Sequence, residues 1–213
     1  MNGDLEKLTE EYKRRHQLPN ERKFGVFYKP LRSIQRFGRR STGQFSVEDS
    51  LQIACSCEPP LYFLLRGCLI PHPYGITLSA DEIGADCLIS QNVTIGTSGE
   101  TMDVGQGTKD KPRLGHLVRC YPGSMISGNV SIGNRVIVAA HSFVDKNVPD
   151  DSVVYGVNVI KPLKDHHKRY LRMLLWHCMN IYKLVPGLVY VRGELFVDRK
   201  YAEGREEMME KLR

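Results

Sequence analysis

The pattern of hydrophobic and polar positions in residues 83–144 repeats every six residues. An amphipathic helix needs apolar residues three or four apart, and a half-buried strand needs strict alternation. A period of six is instead typical of a solenoid in which each hexapeptide forms one short side of a coil and points one aliphatic residue inward. The predicted inward residues are Ile83, Ile89, Ile95, Leu114, Cys120, Ile126, Ile132, Val138 and Val144. A second series of small or β-branched residues lies two positions before most of them: Cys87, Val93, Val118, Ser124, Val130, Val136 and Ser142.

The six-residue register breaks once, between Ile95 and Leu114. Residues 97–113 are polar and rich in glycine, which predicts a loop extruded from one corner of a coil. Long loops on rigid scaffolds tend to carry function. The alternative is a chance clustering of valine and isoleucine in an ordinary β domain. The unbroken register after the loop counts against that alternative.

The segments outside the repeat predict short helical additions. Residues 4–18 and 45–57 have the pattern of helices, and residues 24–40 interleave aromatic and basic side chains. Such interleaving can bind a polyanion, but the aromatics can equally belong to a core with solvated cations around it. We therefore expect a helical N-terminal region (1–66), a solenoid domain (67–162) and a C-terminal helical extension (163–213).

The C-terminal extension begins with a predicted helix over residues 163–185 that has a basic start. Its apolar face is expected to consist of Leu171, Leu174, Leu175, Cys178, Ile181 and Tyr182. A basic amphipathic helix with a tryptophan can lie on a membrane surface, so peripheral membrane contact is one interpretation. Packing on the solenoid or on a neighbouring subunit is the interpretation we favour. A hairpin around Arg192 and Gly193, spanning 188–198, and a short charged helix over 203–213 complete the extension.

Composition narrows the class of protein. The chain has 213 residues and a net charge of +6, but no nucleic-acid-binding motif accompanies the basic charge, so no nucleic-acid partner is expected. Residues 1–15 are charged and lack the apolar stretch of a secretory signal. The six cysteines lack zinc-type spacing, so no metal is expected. Reduced thiols in a cytoplasmic protein are the simplest interpretation.

Several sequence runs together resemble the hexapeptide-repeat acyltransferases. The runs are 90–96 (SQNVTIG), 111–115 (KPRLG), 128–133 (GNVSIG), 148–149 (VP) and 153–157 (VVYGV). The closest resemblance is to the branch of serine acetyltransferase and the acetyltransferases of surface-polysaccharide synthesis, over about residues 68–162. It implies a mainly β fold, a left-handed parallel β-helix, assembled as a homotrimer with acetyl-CoA as co-substrate and a cofactor slot between neighbouring solenoids.

The resemblance also implies site residues. His72 stands where this family places its catalytic base, although a histidine that merely caps the solenoid is the alternative. Glu58 lies in the region that holds the supporting carboxylate in the family. The implied cofactor-binding residues are Gly123, Ser124, Ala139, Ala140, Lys161 and Lys164, and tight coil geometry is an alternative reason for the small ones. The expected substrate-binding residues are Tyr74, Asp110, Lys111 and Arg113.

Two departures from the family pattern bear on the acceptor. Serine-specific members carry Asp directly before the catalytic His, and Arg-His before the proline that closes the loop. This chain has Pro71 at the first place and Asp110-Lys111 at the second. An unpaired charge in a small site is expensive, so we expect a sugar hydroxyl in a capsular or surface polysaccharide as the acceptor. Serine O-acetylation and a non-catalytic β-helix scaffold are the alternatives.

Overall fold

The structure is a computed structural model that describes residues 55–57, 67–72, 74–98, 111–192 and 194–213. This part of the chain is mainly β, as the sequence predicts. Its strands are β1 (Cys55–Cys57), β2 (Cys68–Leu69), β3 (Ile76–Leu78), β4 (Glu82–Ile83), β5 (Cys87–Ile89), β6 (Thr94–Gly96), β7 (Arg113–Leu114), β8 (Arg119–Cys120), β9 (Met125–Ser127), β10 (Ser131–Ile132), β11 (Ile137–Val138), β12 (Phe143–Val144), β13 (Ser152–Tyr155), β14 (Val159–Pro162), β15 (Leu188–Val191) and β16 (Glu194–Val197). Its helices are α1 (Asp165–Trp176), a π-helical turn (His177–Ile181), α2 (Arg199–Glu203) and α3 (Arg205–Lys211).

The short strands stack into three parallel ladders that the chain visits in turn. Side A contains β1, β3, β6, β9 and β12; side B contains β2, β5, β8, β11 and β13; side C contains β4, β7 and β10. From β2 onward the chain runs through sides B, A and C repeatedly, and every pairing within these ladders is parallel. Met125 pairs with Phe143 and Arg113 with Ser131, so one coil takes three hexapeptides.

The core lies inside these coils and consists of the residues that the six-residue period selects. All nine predicted inward residues, from Ile83 to Val144, are buried, and so are all seven residues of the second series. In the described part of the chain Cys68, Cys87, Cys120 and Cys178 are buried and form no disulfide. Cysteine therefore acts here as a small apolar side chain.

Two of the corners turn through left-handed backbone conformations. At the CB corner (84–86, 115–117, 133–135 and 149–151), φ is positive at Asp86, Leu117, Arg135 and Asp151. At the BA corner (71–72, 74–75, 90–93, 121–124 and 139–142), φ is positive at Gly75, Asn92, Gly123 and His141. Glycine and asparagine adopt this conformation at low cost. The third corner, the AC corner, includes 79–81, 97–98, 111–112, 127–130 and 145–147.

The last coil begins at Val148, as the family resemblance implies for a terminal coil over residues 148–160. Val148 and Val157 still make single parallel bridges to Ile132 and Phe143. Strand β14 then pairs antiparallel with β13, from Ser152–Pro162 to Tyr155–Val159. Residues 148–157 therefore visit sides C, B and A once more before the chain folds back on side B in β14.

The predicted hairpin over 188–198 is present and has a role that the sequence did not reveal. Strands β15 and β16 pair antiparallel, and β15 also pairs antiparallel with β4. The hairpin thus extends side C, and its side chains Leu188, Tyr190 and Leu195 join the core of the coils.

Helix α1 covers the outer surface of side B. Its buried residues Leu171, Leu174 and Leu175, with Cys178, pack with the outward-facing Leu69, Ile137 and Val153. The predicted apolar face is wrong for Ile181 and Tyr182, which are exposed. The helix widens into the π-helical turn at His177, so the angular phase of an α-helix no longer applies to them.

Two further expectations change at the ends of predicted elements. Residues 55–57, expected at the end of a helix, form strand β1 and pair with β3. Arg113, expected at the end of the loop, lies in β7. The other expectations for residues 1–54 and 58–66 lie outside the described residues. No helix in the described part of the chain is long and apolar enough to cross a membrane.

Candidate active site

His72 lies at the BA corner, between β2 and β3. Its side chain is exposed, and its carbonyl accepts a hydrogen bond from the Tyr74 N–H at 2.8 Å. The neighbouring coil continues the corner, because the Asn92 N–H donates to the Tyr74 carbonyl at 2.8 Å. The imidazole therefore stands at the edge of the coils and not in their core. The expected carboxylate partner, Glu58, lies outside the described residues.

The small residues expected to line the cofactor slot lie on the same corner as His72. The Gly123 N–H donates to the Gln91 carbonyl at 3.1 Å, and the His141 N–H donates to the Pro122 carbonyl at 3.1 Å. His72, Asn92, Gly123 and His141 therefore mark four successive coils along one edge. At about 4.8 Å per strand, this edge runs for roughly 14 Å from the first to the last.

The packing along this edge bears on why small residues occupy these positions. A Cβ on Gly123 would lie 2.6 Å from Nδ1 of His141, so any larger residue would displace that imidazole. The Ser124 hydroxyl donates to the Tyr121 carbonyl at 2.8 Å and is buried. Ala139 is half-buried and Ala140 is exposed, whereas the exposed imidazole of His141 occupies the space over Gly123.

The expected cations lie towards the CB corner of side B, away from this edge. Lys161 is exposed on β14, where it pairs with Val153. Lys164 is exposed at the start of α1, and its N–H donates to Nδ1 of His167 at 3.0 Å. The N–H of Leu163, between the two lysines, donates to the Asp151 carbonyl of the CB corner at 2.8 Å, so the backbone of neither lysine lies on the His72 edge.

The expected substrate-binding residues are divided between two corners. Tyr74 is exposed beside His72. Lys111 and Arg113 lie at the AC corner and on side C, where Arg113 contacts Asp81 at 3.5 Å and donates to Asn129 at 2.9 Å. Asp110 lies outside the described residues. Within one chain the structure therefore does not bring Lys111 or Arg113 to His72.

His116, the other histidine within the repeat near the loop, is held at the CB corner. Its Nδ1 accepts a hydrogen bond from the Ala85 N–H at 3.1 Å, and its Nε2 lies 3.3 Å from Asp198. The ring stacks on Tyr201 at 4.0 Å. Burial lowers the pKa of His116, against the opposing effect of Asp198. Both ring nitrogens are engaged, so this histidine joins elements and is not available as a base.

A buried ion pair that the sequence did not predict lies beside His116. Asp86 accepts hydrogen bonds from Arg205 at 2.7 Å and from the Tyr201 hydroxyl at 3.0 Å. The two charged side chains are almost fully buried. Burial raises the pKa of Asp86, while Arg205 and Tyr201 act in the opposite direction. Asp86 has a left-handed backbone, but no local sequence pattern marks it or Arg205 as members of an ion pair.

A cleft of about 970 Å³ adjoins this cluster, between the CB corner and helices α2 and α3. Two of its four cations, Arg135 and Lys211, are paired with Asp151 and Glu207. None of the residues that line the cleft lies at the BA corner with His72. Among the described residues, no group of three or more histidine, cysteine, aspartate or glutamate side chains could hold a metal ion.

The amino-acid sequence of this chain is similar to those of several serine acetyltransferases. The chain is 36% identical over 148 residues to the serine acetyltransferase of Synechococcus elongatus, covering 62% of this chain and 59% of the relative. It is 32% identical over 123 residues to that of Buchnera aphidicola, covering 55% and 43%. The one from Staphylococcus aureus is 27% identical over 143 residues, covering 67% and 57%. The chain thus spans about half the length of the curated relatives that it matches. No family model matches it.

Solved structures give a weaker likeness. The serine acetyltransferase of Neisseria gonorrhoeae aligns with a TM-score of 0.40 and 23% identity, covering 63% of this chain and 49% of that one. A serine acetyltransferase in complex with CoA aligns with a TM-score of 0.41 and 20% identity, covering 64% and 54%. Neither likeness is close enough to support an argument. The similarity in sequence confirms the serine acetyltransferase part of the resemblance, and the surface-polysaccharide part stays a prediction.

Proposed function

We propose that the protein is an acetyl-CoA-dependent O-acetyltransferase, with L-serine as the first acceptor to test. The observation that carries the proposal is the BA corner, where His72 shares one edge with Gly123 and Ala140. An exposed imidazole and small residues that an extended thioester ligand would pass are thereby on the same edge. The similarity to serine acetyltransferases in sequence supports the same chemistry.

The proposed reaction assigns the proton transfer to His72. The imidazole accepts the proton of the acceptor hydroxyl as its oxygen attacks the thioester carbonyl carbon. The carbon–sulfur bond then breaks, and the proton passes to the departing CoA sulfur. Histidine suits this role because its ordinary pKa lies close to neutral pH. The pantetheine arm would pass the exposed Ala140, and Lys161 and Lys164 would attract the phosphates at its far end.

A left-handed β-helix and a homotrimer belong to this proposal. In one chain, His72 lies at the BA corner, while Lys111 and the described ends of the loop (97–98 and 111–112) lie at the AC corner. A neighbouring copy that brings its AC corner to the His72 edge would complete the site. Light scattering tests this part of the proposal: a monomeric mass at micromolar concentration would contradict the shared site.

A sugar hydroxyl is the second candidate acceptor, and Pro71 favours it. Free serine carries an ammonium group and a carboxylate, and each needs an opposite charge in a small site. Proline at position 71 cannot hold an ammonium group. Asp110 and Lys111 likewise replace the Arg-His pair implied by the resemblance. The similarity of the relatives supports serine, whereas these departures support a sugar.

Thiol release from acetyl-CoA, measured with L-serine and with a panel of saccharides, tests both candidates. We expect His72→Ala to lower turnover by roughly 10²–10⁴-fold with little change in acetyl-CoA affinity. His166→Ala is the matched control, because His166 is also exposed but lies on α1, and it should keep full turnover in solution. Turnover in His72→Ala equal to that of the wild type would remove His72 from the mechanism. The absence of thiol release with every acceptor would favour the scaffold alternative.

A further inference from the structure

Helix α1 and the π-helical turn after it carry a second group of apolar side chains, which is exposed and does not belong to the core. Five of the ten large apolar side chains that are strongly exposed in the described part of the chain lie between residues 170 and 182. They are Tyr170, Met173, Trp176, Ile181 and Tyr182. Single exposed apolar residues are ordinary, but a contiguous group marks an interaction surface. We call this group the α1 outer face.

The composition of the α1 outer face is specific. Trp176 is 44% exposed and Met173 is 45% exposed, although the opposite side of the same helix is fully buried on side B. A helix that needed only to cover the coils would present polar residues outward. Tryptophan and tyrosine with apolar neighbours are instead enriched where a protein meets the interface of a bilayer.

The charge around the face is almost entirely of one sign. Between residues 161 and 185 the chain has one acidic residue, Asp165, against six lysine and arginine residues: Lys161, Lys164, Lys168, Arg169, Arg172 and Lys183. Arg169 and Lys183 are exposed. The adjoining helix α3 contributes acidic residues, but two of them, Glu207 and Glu210, are paired with Lys211 and Arg213. The face therefore complements a negatively charged surface.

We propose that the α1 outer face docks on the surface of a bilayer that contains anionic phospholipids. Aromatic and aliphatic side chains would enter the boundary between headgroups and acyl chains, while Arg169 and Lys183 contact the phosphates. The helix would lie in the plane of the surface and remain packed on side B. This docking is independent of the acetyl transfer proposed above.

Sedimentation with vesicles of phosphatidylcholine, with or without phosphatidylglycerol, tests the proposal on the full chain. The protein should bind the vesicles that contain phosphatidylglycerol, and added salt should weaken the binding. The protein has a single tryptophan, so Trp176 fluorescence should shift to the blue and be quenched by brominated acyl chains. Binding that is absent from the anionic vesicles would overturn the proposal.

Variants locate the binding on the helix. Met173→Gln with Trp176→Gln should weaken vesicle binding about tenfold or more, because two apolar side chains leave the interface. Arg169→Gln and Lys183→Gln should each weaken it about fivefold, and only on anionic vesicles. Val157→Thr is the matched control, since Val157 is 69% exposed but lies beyond the coils at the end of side A, and it should bind as the wild type does.

Other outcomes distinguish a membrane from a protein partner. Circular dichroism and urea unfolding should match the wild type for every variant, because all the altered side chains are exposed. If the Met173 and Trp176 variant shows a smaller mass by light scattering without vesicles, the face is an interface between copies and the proposal is wrong. Equal loss of binding in Val157→Thr would also contradict it.

Discussion

Replacing Arg205 by methionine should destabilise the protein by about 3 kcal/mol, because it leaves a buried carboxylate without its cation. Arg205 lies on α3 and contacts Asp86 at 2.7 Å. Their side chains are 5% and 0% exposed, so water cannot replace the lost partner. Breaking a buried pair costs about 3–5 kcal/mol. The lower end applies here because the Tyr201 hydroxyl still donates to Asp86 at 3.0 Å.

The loss should depend on pH in a defined direction. Burial already raises the pKa of Asp86, and Arg205 opposes that rise. The pKa of Asp86 should therefore rise further in the variant. A carboxyl group whose pKa is higher in the folded state contributes stability below its unfolded pKa and loses it as pH rises through the folded pKa. The difference in the free energy of unfolding between variant and wild type should thus be largest at neutral pH and shrink as pH falls towards about 4.

Urea unfolding followed by Trp176 fluorescence measures this difference, because α1 packs beside α3. Asp86→Asn together with Arg205→Met is the matched control. Asparagine tolerates the left-handed backbone at position 86 and can still accept the Tyr201 hydrogen bond, so the double variant should recover most of the lost stability. A loss below about 1 kcal/mol in the single variant, or an equal loss in the double variant, would refute the reasoning.

Three further predictions follow from packing and titration. Gly84→Ala should cost more than about 2 kcal/mol in urea unfolding, because its Cβ would overlap the backbone of the next coil, whereas Gly96→Ala, with open space around it, should stay within about 0.5 kcal/mol. Leu175→Ala should cost about 2–5 kcal/mol, while the exposed Ile181→Ala should change stability little; similar losses would contradict the assigned faces. The pKa of His116 is lowered in the folded state, so the neutral imidazole stabilises the protein above the ordinary value of 6.5, and this stabilisation is lost as pH falls through the folded pKa. The melting temperature of His116→Gln should therefore vary less between pH about 5 and 8 than that of the wild type.

The sequence by itself determined which residues fill the coils. The six-residue period follows from local chain geometry, because each side of a coil needs one inward residue at a fixed spacing. Ile83, Cys120 and Val144 are buried as this period requires. The hairpin at 188–198 was also predictable, since its alternation and turn residues are local signals.

The candidate site was predictable only in part. The resemblance selected His72 and Gly123 separately, and the structure placed them on one edge because the coils stack in register. The separation of His72 from Lys111 within one chain could not be read from the sequence, because it depends on which corner each residue occupies. The exposure of Ile181 depends on the π-helical turn, which an α-helical period does not anticipate.

Only the tertiary structure decided how the C-terminal extension is attached. Asp86 and Arg205 are 119 positions apart, and no local pattern encodes a pair at that separation. The addition of β15 to β4 likewise depends on an open strand edge that exists only after the coils form. The six-residue period identifies residues that point inward, but it does not predict the burial of outward apolar residues such as Leu69 and Ile137. Their burial depends on which distant helix packs over them.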